Sequence, residues 1–117
     1  MGNDDCLFCK IVAGEIPATI VRETPRTLAF RDIAPKAPVH ILVIPKEHFG
    51  DVVTLAEADP EVTAEVMGTA AVVAEYEGLA ADGFRLIFNT GPNGGQEVPH
   101  AHAHLLGGAP LGPMLSR

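Results

Sequence analysis

Apolar and polar positions along this chain follow two rhythms, and each change of rhythm marks an element. "DCLFCKIVAGEIP" repeats its apolar positions at helical spacing, with Phe8, Ile11 and Val12 on one face. Asp5 is placed to cap this short N-terminal helix, Gly14 suits the position just past its end, and Pro17 follows the stop. The rhythm then shortens. "TIVRE" and "TLAFRD" are β-rich runs separated by the turn-prone "TPR", and the proline-bounded loop "IAPKAP" leads into "VHILVIP", the most strand-like segment. Helical spacing returns in "TLAEADPEVTAEVMGTAAVVAEYEG", where Val62, Val66, Ala70, Val73 and Ala74 recur on one side. Thr54 and Glu57 form a capping box for its first turn. Asp59 and Pro60 supply the N-cap and first position of the main helix, and Gly78 ends it. "FRLIFN" predicts a fourth strand, and His100 to Leu106 alternates like a fifth after the loop from Thr90 to Val98.

The strands have connections too short for a parallel crossover, or are spanned by one helix. The expected architecture is therefore α+β: a five-stranded antiparallel sheet with one long helix and one short N-terminal helix, in a single domain over residues 1–117.

The last strand carries the chemistry. "GPNGGQEVPHAHAHLLGG", residues 91–108, holds three of the five histidines at alternate positions. On a strand His100, His102 and His104 would share one face, and Ala101 and Ala103 the other. The small alanines suggest a helix or backbone packed closely on that reverse side. Neighbouring histidines would lie about 6.6 Å apart and the outer two about 13 Å apart, so one metal cannot readily take all three. A histidine near neutral pH is also a nucleophile and proton carrier. The preceding loop is not a P-loop, because it lacks the Gly-Lys-Ser/Thr ending and leads into a strand. Gly94 and Gly95 nonetheless let the backbone turn so that the amides of Gln96, Glu97 and Val98 could face an oxyanion.

Composition narrows the partners. Eight Lys and Arg against 15 Asp and Glu give a net charge of −7, which argues against nucleic acid and leaves small nucleotides open. No apolar run is long enough for a bilayer, and "MGNDDC" has neither a basic nor an apolar leader region; Gly2 fails the myristoylation pattern because Cys6 stands where Ser or Thr is needed. The chain reads as cytoplasmic, where Cys6 and Cys9 are not expected to form a structural disulfide. For this Cys-x-x-Cys a thioredoxin-like role lacks the preceding strand. A buried apolar pair remains open, as does a zinc half-site, which needs two further ligands and is offered one by His48.

"CLFCKIVAGEIPA", "LAFRDIAPKAPVHILVIPKEH" and "GGQEVPHAHAHLLGG" together resemble the histidine triad (HIT) family, in its nucleotide-binding branch. Residues 100–106 fit the signature His-φ-His-φ-His-φ-φ, with φ hydrophobic. The resemblance implies hydrolysis of nucleoside 5′-phosphoramidates and related, commonly adenosine-linked compounds, through a nucleotidyl-histidine intermediate and without a catalytic metal. It implies that His102 is the nucleophile, that His104 contacts the phosphate, and that His40 orients His102. Asp32 and Ile33 would line the ribose and base pocket, while Asn89, Gly95, Gln96, Glu97 and Val98 would hold ribose and phosphate. A homodimer is implied too, its interface including the helix from Pro60 to Glu77; unpaired sheet edges give independent support. Several bacterial members resemble this chain in Cys6, Cys9, His48 and His100, which implies one structural zinc per chain. The rival expectations are a metal-dependent enzyme that uses His-x-His as catalytic ligands and a nucleotide-binding module with little turnover. Two features depart from the pattern: Glu97 stands where nucleotide-binding members often carry a small hydroxyl residue, and the tail "GGAPLGPMLSR" is short and rich in Pro and Gly.

Overall fold

Five strands form one sheet in the order β1-β2-β3-β5-β4, with every neighbouring pair antiparallel. The elements run α1 (Leu7–Val12), β1 (Ile20–Glu23), β2 (Thr27–Arg31), β3 (Val39–Pro45), α2 (Val52–Ala58), α3 (Pro60–Tyr76), β4 (Phe84–Ile87) and β5 (Ala103–Gly107). The computed structural model describes residues 5–115; of the start read above for leader signals, residues 1–4, Gly2 included, lie outside them. Among the described residues no helix is long and apolar enough to cross a membrane.

Alternation in the strands sorts the core into two layers. Ala29, Ile41, Val43, Ala103 and Leu105 face α3, where they meet Val62, Val66, Ala70 and Val73. Leu28, Phe30, Leu42 and Ile44 face the other way and are covered by Cys6 and Phe8 from the α1 region. Both faces of β2 and β3 are thereby buried, which explains why "VHILVIP" reads as an almost unbroken apolar run. Thr27 and Thr69 stay inside because their hydroxyls bond each other across the α3 interface at 2.8 Å.

The helix starts differ from expectation. The N-cap of α1 is Cys6, not Asp5: its Sγ accepts from the Cys9 amide at 3.3 Å. The Thr54–Glu57 capping box does not form, because Asp51 caps α2 by accepting from the Thr54 amide at 2.8 Å and starts that helix earlier. Asp59 and Pro60 do open α3, and they break the long helix cleanly from α2. Gly14 and Gly78 follow the ends of α1 and α3 with φ of 80° and 75°.

The fifth strand is shorter than the histidine alternation. Its ladder begins at Ala103, so His100 and His102 precede it. The Ala101 amide bonds the Phe49 carbonyl at 2.7 Å instead of a strand neighbour, and His100 closes a tight turn onto the Val98 carbonyl at 2.8 Å. β4 likewise ends early, at Ile87 opposite His104, instead of at Asn89. The faces survive this change: Ala101 and Ala103 are buried in the α3-side core, as their small size suggested.

Ala103 has no exposed surface, so Ala103→Leu should overpack the β5–α3 contact and destabilise the protein by about 1–3 kcal/mol. Denaturant unfolding measures this, and an unchanged midpoint would contradict the close approach.

Candidate active site and metal site

The three triad histidines do not converge on one point. They occupy successive positions along one side of the sheet, and each is held by a different partner. The bonds that hold them also decide where each ring carries its proton, because a carbonyl can only accept and an amide N–H can only donate.

His102 donates from Nδ1 to the His100 carbonyl at 2.7 Å. In the neutral ring this leaves the lone pair on Nε2, the nitrogen free to attack. His40 accepts at Nδ1 from the Lys36 amide at 3.1 Å, so its proton sits on Nε2. That Nε2 lies 2.9 Å from His104 Nδ1 and donates to it, which puts the His104 proton on Nε2. His40, expected to orient His102, thus makes its hydrogen bond to His104, the ring directly beside it. One oxygen of Asp32 lies 3.6 Å from His40 Nε2, and the other accepts from the Ala34 amide at 2.8 Å.

Burial keeps these rings neutral. It pushes His104 down to about 4, helped by the neighbouring His102 and His40 and opposed by Asp32. Burial also lowers His40, against the pull of Asp32, and lowers His102, against its bond to the His100 carbonyl and the charges of Asp32 and Glu97. Neutral imidazole is the form a nucleophile needs.

A cavity of about 490 Å³ opens in front of His102 and His104. Asp32, Ile33, His40, Asn89, Gly95, Glu97 and Val98 line it, so most of the residues expected to bind nucleotide do come together. Gln96 does not line it. Its side chain is consumed in clamping the loop: Oε1 accepts from the Gly91 amide at 3.0 Å, and Nε2 donates to the Gly50 and Val98 carbonyls at 2.8 and 2.9 Å. Its backbone amide is also taken, by the Gly91 carbonyl at 3.1 Å. Of the three amides expected to face an anion, those of Glu97 and Val98 alone lack an acceptor among the described residues. The turn itself demands glycine. A Cβ at Gly94 would stand 2.5 Å from the Thr90 carbonyl oxygen, and Gly95 has φ of 77°.

Sequence reasoning missed the apolar wall of the cavity. Leu7, Phe8, Ile11, Phe30 and Leu42 form it, together with Lys36 at the rim. Amphipathic spacing in α1 could have signalled a binding wall but reads identically as ordinary core. Phe8 also packs edge-on against His102, with ring centroids 5.1 Å apart.

His100 belongs to a second centre. Its Nε2 donates to the Pro45 carbonyl at 2.9 Å, which leaves the Nδ1 lone pair facing Cys6 Sγ at 3.3 Å, Cys9 Sγ at 3.6 Å and His48 Nδ1 at 3.2 Å. His48 Nδ1 lies 3.3 Å from Cys9 Sγ. In a tetrahedral zinc site, bonds of about 2.0–2.1 Å to nitrogen and 2.3 Å to sulfur place ligand atoms about 3.3–3.8 Å apart. The observed separations fit that geometry within a few tenths of an ångström. Burial, and the charge of His48 and His102, hold His100 at about 4 against its bond to Pro45, and a neutral ring is what a metal ligand must be. Cys9 is raised to about 11 by burial and by Cys6, so metal binding has to displace its proton. Cys6, Cys9, His48 and His100 thus form a group able to hold one metal ion.

Asp32, His40 and His104 also lie within ligand distance of one another. Their protons argue against a metal there, since the His40 nitrogen that faces His104 carries hydrogen as long as Lys36 donates to the other one. The expected rival, His-x-His as paired catalytic ligands, fares no better, because His102 turns its Nδ1 to a carbonyl and His100 turns away to the cysteines.

A family model described as HIT domain matches residues 13–111. The chain belongs to the HIT family. Among its HIT relatives, the purine nucleoside phosphoramidase of Escherichia coli strain K12 is 48% identical over 113 residues, covering 97% of this chain and 95% of that protein. The 14 kDa zinc-binding protein of Zea mays is 50% identical over 111 residues, covering 92% and 85%. A HIT family hydrolase from Clostridium thermocellum superposes with a TM-score of 0.91 at 45% identity, covering 97% of this chain and 98% of that one. Its fold matches the mixed five-stranded architecture described above.

The tautomer assignment can be read directly. Long-range ¹H–¹⁵N spectra of the imidazoles at pH 7 should show hydrogen on Nδ1 of His102 and on Nε2 of His40 and His104. As the pH falls, His104 should remain neutral until well below the usual value of 6.5. Hydrogen on Nδ1 of His40 would break the relay.

Proposed function

We propose that this protein is a single-domain HIT hydrolase that cleaves nucleoside 5′-phosphoramidates by way of a nucleotidyl-His102 intermediate. The observation that carries this reading is the free Nε2 of a buried, neutral His102, fixed by its Nδ1 bond at the edge of a nucleotide-sized cavity. The likeness to a purine nucleoside phosphoramidase over nearly the whole chain supports it.

The base, commonly adenine by family resemblance, lies against the apolar wall, with Asp32 and Ile33 near ribose and base and Asn89 on the ribose. The amides of Glu97 and Val98, with Gly95 giving the turn, and the Nε2–H of His104 face the phosphoryl oxygens. His102 Nε2 attacks phosphorus and the P–N bond breaks; the amine departs after taking a proton from solvent at the open mouth. Water then attacks phosphorus, the P–Nε2 bond breaks, and the products are a nucleoside monophosphate and an amine. Each step transfers the nucleotidyl group once.

Cys6, Cys9, His48 and His100 hold one structural zinc. When bound, the ion joins α1 to the Lys46–Gly50 turn and to the start of the histidine run, and its four protein ligands leave no position for water. The likeness to zinc-binding relatives supports the choice of metal, and the free cysteines suit a cytoplasmic setting.

The protein works as a homodimer. One side of α3 enters the core, while Met67 and Val72 on the other side, with Tyr76 and the edge-strand Phe84, leave apolar surface exposed.

His102→Ala should lower turnover of adenosine 5′-phosphoramidate by at least about a thousand-fold while nucleotide still binds; an adduct mapped to His104 in the wild-type protein would contradict the assignment. Metal analysis of untagged protein should find close to one zinc per chain, and Cys9→Ser should remove it and lower the melting temperature. Native protein that is metal-free, with both thiols open to titration, would end the zinc reading alone. Sedimentation equilibrium should give twice the 12.3 kDa chain mass, and Met67→Glu with Val72→Glu should return it to one. A monomeric wild type would refute the dimer.

A further inference from the structure

The lining of the cavity divides by chemistry. It includes an apolar set, Leu7, Phe8, Ile11 and Phe30, and a polar set in which Glu97 joins His102 and His104. A nucleoside seated with its base on the apolar wall presents phosphorus to His102. The group leaving phosphorus then extends past the polar set and toward the rim.

Glu97 is a carboxylate without a counter-charge. Among the described residues it forms neither an ion pair nor a side-chain hydrogen bond, although four Lys or Arg ion pairs do form elsewhere. The two cations that line the cavity, Arg31 and Lys36, bond other groups. Arg31 pairs with Glu77 at 2.9 Å, and the Lys36 ammonium reaches the Ala34 carbonyl at 3.5 Å, on the Asp32 side. The backbone of Glu97 is meanwhile held in place, because the three bonds of the Gln96 side chain pin the loop on either side of it. An unpaired negative charge carried on a braced loop beside the phosphoryl position repels anionic groups and attracts cationic ones.

We propose that Glu97 selects substrates by the charge of their leaving group, favouring phosphoramidates whose departing amine carries a second, ammonium centre, as in a diamine, over those with a neutral or carboxylate-bearing amine. This rests on the hydrolase reading above and adds a substrate class to it. The carboxylate takes no part in bond making; it is a specificity-determining residue that touches the far end of the leaving group.

The test uses three isosteric adenosine 5′-phosphoramidates, whose amines end in an ammonium, a methyl or a carboxylate group. For the wild-type dimer, kcat/KM should fall in that order, with about a two- to five-fold step at each change, the range of partly exposed charge pairs. The steps should shrink in 0.5 M salt. Glu97→Gln should level the series and Glu97→Lys should invert it, with circular dichroism confirming the fold. The same ranking should appear as Kd on His102→Ala, which holds each compound without turning it over, and should be lost in His102→Ala/Glu97→Gln. Equal affinities for the three compounds, or an unchanged ranking in Glu97→Gln, would overturn the proposal. Charge-ranked binding without wild-type turnover of any compound would instead contradict the hydrolase reading and sustain the role of Glu97.

Discussion

The bond from His102 Nδ1 to the His100 carbonyl is the constraint on which the site depends. It spans two residues and measures 2.7 Å. By fixing the proton on one nitrogen it exposes the other, and by fixing the ring plane it aims that nitrogen into the cavity. The bond is only as well placed as His100. That residue is anchored through Nε2 to Pro45 and through Nδ1 to the Cys6, Cys9 and His48 group, while the next amide is tied to Phe49. Phe8, carried on the helix between the two cysteines, packs edge-on against both His100 and His102. The Cys6, Cys9, His48 and His100 group and the ring of His102 are therefore adjoining parts of one braced unit.

The turn holding His48 extends this unit. Phe49 receives the Ala101 amide and Gly50 receives the Gln96 side chain, so one short segment braces both the histidine run and the phosphate-side loop. Such bracing suits a site that must bind an anion with few cations. In the proposed reaction of this chain, with its net charge of −7, two unpaired amides and neutral imidazoles would meet the phosphoryl group where other proteins use Arg or Lys. Burial supplies the neutrality: it holds His104 and His100 near 4 and lowers His40 and His102.

The parts legible in the sequence were those governed by local periodicity. Period-two alternation placed Ala101 and Ala103 against a helix and the histidines on the opposite side, and Asp59-Pro60 marked the start of α3. What escaped notice depends on partners distant along the chain or on competition between near neighbours. His40 faces His104 rather than His102 because of the β3–β5 register, which sets Leu42 opposite His104 and His40 opposite Leu106. The first two histidines left the ladder because Phe49 captured the Ala101 amide, a contact across 52 residues. Asp51 prevailed over Thr54 as a cap, and Cys6 over Asp5. In the second case the sulfur that caps α1 also faces the metal group, a coincidence that capping preferences alone do not reveal.

The proposed reaction is a two-step displacement in which one imidazole nitrogen is bonded to phosphorus in between. The outcome at phosphorus tests that claim most directly. A single diastereomer of an adenosine 5′-phosphoramidothioate, hydrolysed in ¹⁸O-labelled water, yields a chiral thiophosphate whose configuration can be read by ³¹P spectroscopy. Two successive in-line displacements predict net retention of configuration. Net inversion would mean that water attacks phosphorus directly, and it would contradict a nucleotidyl-His102 intermediate.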